Sequence, residues 1–238
     1  MLGGSGSLGR AVVTAASAAG HDAVAISRSG AAKADVVTGE GLAQALAGAD
    51  CVVDATNTRD GEALVTGTRN AVAAAAQIAS IRHFVGISIV GIDDAPLAYY
   101  RAKVRQEQAV MAGGVPWSIV RATQFHDLFA RMGEGRHGIV LMVRGAKTQP
   151  IDVDEVGPLV IDACVRGPSG RVPDIGGPVV EEWGALIARY NHAVGRRRFV
   201  LELPTPTATG RFLRSGKLCC PDRAVGVRTF DDWLAARR

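Results

Sequence analysis

The sequence has few aromatic residues, no long uncharged run and no leader-like start, and each scarcity excludes a class of protein. Aromatic residues make up 5% of the chain, which leaves little material for stacking on nucleic-acid bases. The longest run without a charged side chain, residues 108–120, falls short of the roughly 20 residues of a membrane-spanning helix. The start, MLGGSGSLGR, lacks the basic and apolar parts of a signal peptide, so we expect a cytoplasmic protein.

The four cysteines form neither a disulfide framework nor a metal site. Cys51 and Cys164 lie in apolar stretches, where cysteine packs as a small hydrophobic residue. Cys219 and Cys220 have no cysteine or histidine at the spacing that zinc requires. We therefore expect no structural disulfide and no metal.

Charge is nearly balanced, with 27 basic and 23 acidic side chains. The basic excess lies in residues 196–238, where the positive side chains are scattered. Binding to nucleic acid favours clustered basic residues. We therefore interpret this region as a solvated face, and expect a small-molecule substrate rather than nucleic acid or a membrane.

Alternating apolar segments predict an α/β fold for the first 130 residues. Strands are predicted at residues 22–27, 34–37, 51–55, 83–90 and 116–120. Helices are predicted at residues 8–19, 41–47, 62–80 and 99–111. Short apolar strands separated by helices are typical of a doubly wound parallel sheet.

The pattern loosens after about residue 130. It predicts a strand at residues 139–143, helices at 154–164, 181–194 and 230–236, and a Pro/Thr-rich loop at 203–210. We interpret residues 131–238 as a smaller lobe that is packed on the same domain and completes a cleft.

Gly3, Gly6 and Gly9 form the pattern G-x-x-G-x-x-G directly before the first predicted helix. Glycine allows the backbone to approach a pyrophosphate and allows the helix to pack closely on a strand. The helix N-terminus offers free N–H groups to phosphates. This loop therefore predicts a dinucleotide site.

The end of the second strand favours NADP over NAD. An NAD site places Asp or Glu about 20 residues after the glycines, whereas this chain has Ser27, Arg28 and Ser29. Arg28 can pair with the extra phosphate of NADP, which an acid would repel. The alternative is that Arg28 is a solvated arginine.

Met1 and Leu2 are the residues that precede the glycine loop, where a dinucleotide fold has a central strand. A shortened central strand leaves its neighbours with unpaired backbone groups. We expect that the first strand is truncated, and that about five apolar residues in front, a typical strand length, would strengthen the fold and cofactor binding.

Tyr99 and Lys103 are four residues apart on a predicted helix and therefore share one face. An ammonium near a phenol stabilises the phenolate, which makes Tyr99 a candidate proton donor or acceptor near neutral pH. The alternative is a surface pair, because this spacing also occurs by chance on helices.

The glycine loop, the Tyr99–Lys103 pair and the stretches WSIVRATQFHD and PIDVDEVG together resemble the extended and atypical short-chain dehydrogenase/reductases, and among them the NmrA-like NAD(P)H-binding proteins. The resemblance implies a Rossmann-like sheet, with residues 1–130 binding NAD(P) and residues 131–238 forming a small C-terminal substrate lobe. The cofactor contacts that it implies are Gly3, Gly6 and Gly9 around the pyrophosphate, Leu8 against it, Arg28 at the adenosine ribose or its phosphate, Asp35 at the adenine amine, Ala55 and Thr56 beside the cofactor, and Lys103 at a ribose hydroxyl.

The same resemblance implies that Tyr99 is the catalytic acid and Lys103 its partner. The family also places a Ser or Thr beside the substrate carbonyl; Ser88 is the nearest candidate, and Ile89 is the alternative occupant of that register. We therefore expect an NADP-dependent reductase of small carbonyl or quinone-like compounds, as a monomer or homodimer. The alternatives are a non-catalytic NAD(P)-sensing regulatory protein and an isomerase or epimerase that keeps its cofactor bound.

Overall fold

A computed structural model of the chain describes residues 1–134 and 138–237. The strands are β1 Ile26–Ser27, β2 Ala32–Lys33, β3 Cys51–Asp54, β4 His83–Ile89, β5 Trp117–Ala122, β6 Ile139–Val143, β7 Lys147–Thr148, β8 Gly170–Arg171, β9 Glu181–Glu182 and β10 Phe199–Leu203. The α-helices are α1 Ser7–Ala18, α2 Leu42–Leu46, α3 Gly61–Ala76, α4 Ala98–Ala112, α5 His126–Gly133, α6 Val153–Arg166, α7 Trp183–Ala193, α8 Ala208–Arg214 and α9 Phe230–Ala235.

The chain divides into two compact units. The first unit comprises Met1–Ser88, Ala98–Arg121 and Val153–Pro173. The second comprises Ile89–Leu97 and the described parts of Ala122–Asp152 and Asp174–Arg238. In the parts of the chain that the structure describes, no helix has the length and apolar character needed to cross a membrane.

The first unit is built on a parallel sheet. Strands β3, β4, β5 and β8 are neighbours in that order, and β1 pairs in parallel with β2. Leu2 joins the two groups, because it bridges Ile26 of β1 and Asp54 of β3. The order is therefore β2, β1, Leu2, β3, β4, β5, β8, which is the doubly wound order that reverses direction beside the first strand. The predicted Rossmann-like α/β fold is confirmed.

Helices flank this sheet and bury their apolar faces in the first unit. Helix α1 packs on α6, and α3 packs on α2 and α4. The carboxylate of Asp60 accepts the N–H groups of Glu62 and Ala63 and so begins α3. The core of the sheet contains Leu2 and Phe84, both fully buried.

A buried ion pair fixes helix α4 in the first unit. The Glu107 carboxylate accepts two hydrogen bonds from Arg121 of β5, both at 2.8 Å, and one from Arg171 of β8 at 2.9 Å. The side chains of Glu107 and Arg121 are 3% and 7% exposed. Because charge buried in this way is costly to leave unpaired, the ion pair sets the position of α4 on the sheet.

The second unit has its own core of aromatic and aliphatic residues. Helix α7 packs on α5 and α9, and the Phe230 and Trp233 rings stack 5.5 Å apart. Strands β6 and β10 pair in parallel, while β7 and β9 are antiparallel. Helix α9 begins with a capping box in which Thr229 and Asp232 bond each other's backbone.

Several predicted boundaries were wrong, for local reasons. The strand predicted at residues 22–27 is reduced to Ile26–Ser27. Residues 34–37 are not a strand; the carboxylate of Asp35 accepts the N–H groups of Val37 and Thr38 and turns the chain, and the strand lies at Ala32–Lys33 instead. The loop predicted at residues 203–210 contains the start of α8, which the Thr207 hydroxyl caps.

Candidate cofactor-binding and active site

A cleft of about 510 Å³ opens in the first unit where the strand order reverses. Ligands of open α/β sheets bind at this position, beyond the carboxyl ends of the strands. Residues from four segments line it: the glycine loop, the end of β1, the turn after β2 and the segment that follows β3. Gly3, Gly6, Arg28, Asp35, Ala55 and Thr56 are therefore brought together in one cleft, and Leu8 and Gly9 are buried at the start of α1.

The glycine loop has the geometry of a cradle for an anion. Gly3 has φ +72°, in the left-handed region that favours glycine. A methyl group on Gly9 would lie 2.2 Å from the Gly3 carbonyl oxygen, so the loop packs against α1 too closely for any side chain there. A methyl group on Gly6, in contrast, would meet the Gly3 oxygen at 3.3 Å and would otherwise take up open space.

The N-terminus of α1 is available to a ligand. Gly6 is its N-cap, and within the described residues neither a side-chain cap nor an acidic residue in the first turn occupies it. The first N–H groups of a helix lack intrahelical partners and carry a partial positive charge. Together with the space at Gly6, this terminus fits the pyrophosphate of a dinucleotide.

An exposed cation lines the cleft at the end of β1. Arg28 is exposed and lines the cleft with its neighbours Ser27 and Ser29. Asp35 also lines the cleft, and its Oδ1 accepts the N–H of Val37 at 2.8 Å. Asp35 therefore holds the shape of the turn that borders the cleft, in addition to the adenine contact that the resemblance implies.

Tyr99 contacts one of the residues that line the cleft. Its hydroxyl donates to Oδ1 of Asn57 at 3.1 Å, and Asn57 lines the cleft directly after Ala55 and Thr56. Tyr99 is half-buried, so its phenol remains partly accessible. The structure thus brings the phenol to the rim of the cleft that holds the glycine loop.

Three comparisons with known proteins bear on this geometry. A family model described as NAD(P)H-binding matches residues 3–164. This chain belongs to that NAD(P)H-binding family. The match confirms the resemblance found in the motifs, and agrees with a cleft that places a glycine loop at the end of a parallel sheet.

Individual relatives are reductases and epimerases. A (4-alkanoyl-5-oxo-2,5-dihydrofuran-3-yl)methyl phosphate reductase from Streptomyces griseus is 31% identical over 52% of this chain and 46% of its own, so the chain spans about half the length of that relative. An NADPH-dependent quinone oxidoreductase from Escherichia coli, solved with NADPH, has a TM-score of 0.76 at 17% identity and covers 99% and 98% of the two chains. A putative epimerase from Burkholderia cenocepacia has a TM-score of 0.71 at 18% identity over 100% and 96%.

In this member of the NAD(P)H-binding family, Lys103 is buried. Its Nζ donates to the carbonyl oxygen of Ile87 at 2.7 Å and to Oε1 of Gln106. The lysine is 5% exposed and does not belong to the described cleft lining. The predicted contact between Lys103 and a ribose hydroxyl would therefore have to form while the ammonium keeps its bonds to Ile87 and Gln106.

A chain of hydrogen bonds continues from Gln106 to the cleft. Gln106 Nε2 donates to the Thr68 hydroxyl at 2.8 Å, which donates to Oδ2 of Asp54 at 2.6 Å. The other carboxylate oxygen of Asp54 accepts the backbone N–H and the hydroxyl of Thr56, at 2.9 and 2.6 Å. The side chains of α3, α4 and β3 thus hold the cleft segment at Thr56, a connection that the motifs did not indicate.

Burial lowers the pKa of Lys103 to about 8 from 10.5, although Asp54 and Glu107 partly oppose the shift. Below pH 8 the lysine is charged in both the folded and unfolded states. Between pH 8 and 10.5 the unfolded chain keeps a proton that the folded protein has released, so stability rises with pH across this window.

We therefore expect Lys103→Met to change the pH dependence of unfolding. The free energy of unfolding of the wild type relative to the variant should rise by about 3 kcal/mol between pH 8 and 10.5, since the variant has no proton to release there. Urea unfolding at a series of pH values measures this difference. If the difference in unfolding free energy stays constant over this pH window, the pKa of Lys103 is not lowered in the folded protein.

Ser88 lies near the end of β4 and is 4% exposed. Its hydroxyl has no hydrogen-bond partner among the described residues, which is unusual for a buried polar group. Ile89, the alternative occupant of the register, is half-buried. An unpartnered hydroxyl can accept or donate a bond to a ligand, but Ser88, like Lys103, is not among the described residues that line the cleft, so its role in orienting a substrate oxygen stays a prediction.

Proposed function

We propose that this protein is an NADPH-dependent reductase of small carbonyl or quinone-like compounds. The observation that carries the proposal is the position of the Tyr99 hydroxyl, hydrogen-bonded to Asn57 at the rim of the glycine-loop cleft. Support also comes from the relatives, one of which reduces a phosphorylated dihydrofuranone and another of which is an NADPH-dependent quinone oxidoreductase.

Different residues of the cleft would bind different parts of the cofactor. The free N–H groups at the start of α1 would hold the pyrophosphate, with Gly6 leaving the space for it. Arg28 would pair with the 2′-phosphate. Thr56, fixed by Asp54, would border the nicotinamide end. When bound, NADPH supplies the hydride that the substrate carbon accepts.

Tyr99 would deliver the proton that completes the reduction. Its O–H bond breaks as the substrate oxygen takes the proton, and the resulting phenolate regains a proton from solvent. Lys103, one helical turn further along α4, is charged at neutral pH because its pKa stays near 8. A positive charge nearby favours the phenolate and therefore eases the transfer. Ser88 would orient the substrate oxygen through its free hydroxyl.

A second candidate function is redox sensing without turnover. It is favoured by the internal bonds of Lys103. Because its ammonium already donates to Ile87 and Gln106, it is less available to assist a proton transfer by Tyr99. Titration with NADPH and NADH, followed by a panel of quinones, enones and small ketones with the tighter cofactor, separates the two. Oxidation of NADPH by any member of the panel supports the reductase, whereas tight binding with no oxidation across the panel supports the sensor.

Arg28→Glu tests the cofactor preference. Loss of a charge-assisted bond to the 2′-phosphate, with an acid in its place, should weaken NADPH binding by roughly 10- to 100-fold and leave NADH binding unchanged. Fluorescence titration measures both affinities. The control is Arg82→Glu, an equal change of charge at an exposed residue that precedes the amino end of β4. Equal losses for NADPH and NADH in Arg28→Glu would contradict the preference.

A further inference from the structure

One face of the β6–β10 pair is exposed although it is entirely apolar. The two strands run in parallel, with Phe199 opposite Ile139, Leu201 opposite Leu141 and Leu203 opposite Val143. We call these six residues the apolar ladder. Their exposed fractions include 77% for Phe199, 59% for Leu141, 55% for Ile139, 47% for Leu201 and 42% for Leu203.

The alternation along both strands explains why the ladder points outward. Of the four intervening residues, Val140, Met142 and Val200 pack on the core of the second unit, around Phe129 and Trp233, and the fourth is the half-buried Glu202. Because successive side chains of a strand point to opposite faces, burying this set exposes the other. The exposed set contains no polar residue, whereas the inward set includes Glu202, and this differs from the polar outer face of a sheet that contacts water.

The ladder is large enough to form an interface. From the exposed fractions it presents roughly 500 Å² of apolar side-chain surface, in the upper range for the largest patch on a monomer. Two ladders in contact would bury roughly 1,000 Å² in total, which is where specific interfaces begin. None of the six side chains carries a charge, so two ladders can meet without burying an unpaired charge.

We propose that the apolar ladder is the interface of a homodimer, in which two copies pack face to face about a two-fold axis at the Leu141–Leu201 pair. A two-fold axis across the strands places the bulky Phe199–Ile139 end of one copy on the smaller Leu203–Val143 end of the other. The ladder is therefore complementary to itself in size as well as in its lack of charge, as an isologous interface requires. A polyanion or a charged headgroup finds no partner on these six side chains.

Sedimentation velocity on the full chain, with and without Leu201→Glu, tests the proposal. We expect the wild type to sediment at twice the 24.8 kDa of one chain at micromolar concentration, and the variant at one chain mass. Raising the salt concentration should not dissociate the wild-type dimer, because the contact is apolar. A monomeric wild type, or a variant that remains dimeric, would overturn the proposal.

Two further variants keep the result interpretable. Val165→Glu introduces the same charge at an exposed aliphatic residue outside the ladder, on α6, and should leave the dimer intact. Phe199→Ser reduces the ladder without adding charge and should weaken the dimer at least tenfold, with an unchanged far-ultraviolet circular dichroism spectrum. If Val165→Glu dissociates the dimer as fully as Leu201→Glu, or if the wild type is a monomer that floats with anionic vesicles, the ladder does not pair with a second copy.

Discussion

Replacing Tyr99 by Phe should lower kcat with NADPH and an accepted carbonyl or quinone by about 10²- to 10⁴-fold, the range that a positioned proton donor contributes. The substitution removes one oxygen and leaves the ring. The oxygen is hydrogen-bonded to Asn57 at the rim of the cleft, whereas the pyrophosphate is expected at the start of α1, so the affinity for NADPH should change little. Steady-state rates and a fluorescence titration of NADPH measure the two effects separately.

The neighbouring residue provides a matched control. Tyr100 is 6% exposed, and burial raises the pKa of its phenol, so it is poorly suited to exchange protons with a ligand. Tyr100→Phe removes the same atom from the same helix and should retain most of the activity. Full activity in Tyr99→Phe, or equal losses in both variants, would exclude Tyr99 as the proton donor.

The parts of the fold that depend on local pattern were predictable. The apolar run at residues 51–55 forms β3 over Cys51–Asp54, and the alanine-rich segment after residue 61 forms α3. The strand predicted at residues 22–27 was too long because strand length is decided by a partner. Leu2 pairs with Ile26, whereas Val24 of the same apolar run is 51% exposed. Pairing of this kind is non-local and leaves no trace in periodicity.

In the cleft, too, the features set by local sequence pattern were predictable and those set by non-local contacts were not. Gly3, Gly6 and Arg28 could be placed from spacing, because a glycine loop and the residue after the second strand occupy defined positions in a doubly wound sheet. The hydrogen bonds that join Lys103 to Asp54 could not, since they pass through Thr68 and Gln106 on different helices. A polar residue inside an apolar strand, as Asp54 is in CVVDA, was the available signal.

Substitutions of Gly6 and Gly9, the second and third glycines of the loop, should separate the effect on cofactor binding from the effect on stability. Gly6→Ala adds a methyl group whose nearest neighbour is the Gly3 oxygen at 3.3 Å, and the backbone there, φ −72° and ψ 169°, suits alanine. The free energy of unfolding should therefore change by less than about 1 kcal/mol. The same methyl group would occupy space that the pyrophosphate needs, so NADPH affinity should fall by roughly 10- to 100-fold.

Gly9→Ala, in contrast, should lower the stability of the fold. Its methyl group would lie 2.2 Å from the Gly3 oxygen and 2.7 Å from the Gly4 Cα, and both neighbours are backbone atoms that cannot rotate aside. Relief requires α1 to move off the loop, which should cost about 3 kcal/mol of unfolding free energy even without a ligand. Urea unfolding and NADPH titration of the two variants test the pair together. If Gly6→Ala binds NADPH like the wild type, the pyrophosphate does not lie over the start of α1, because the added carbon stands where that group would have to be.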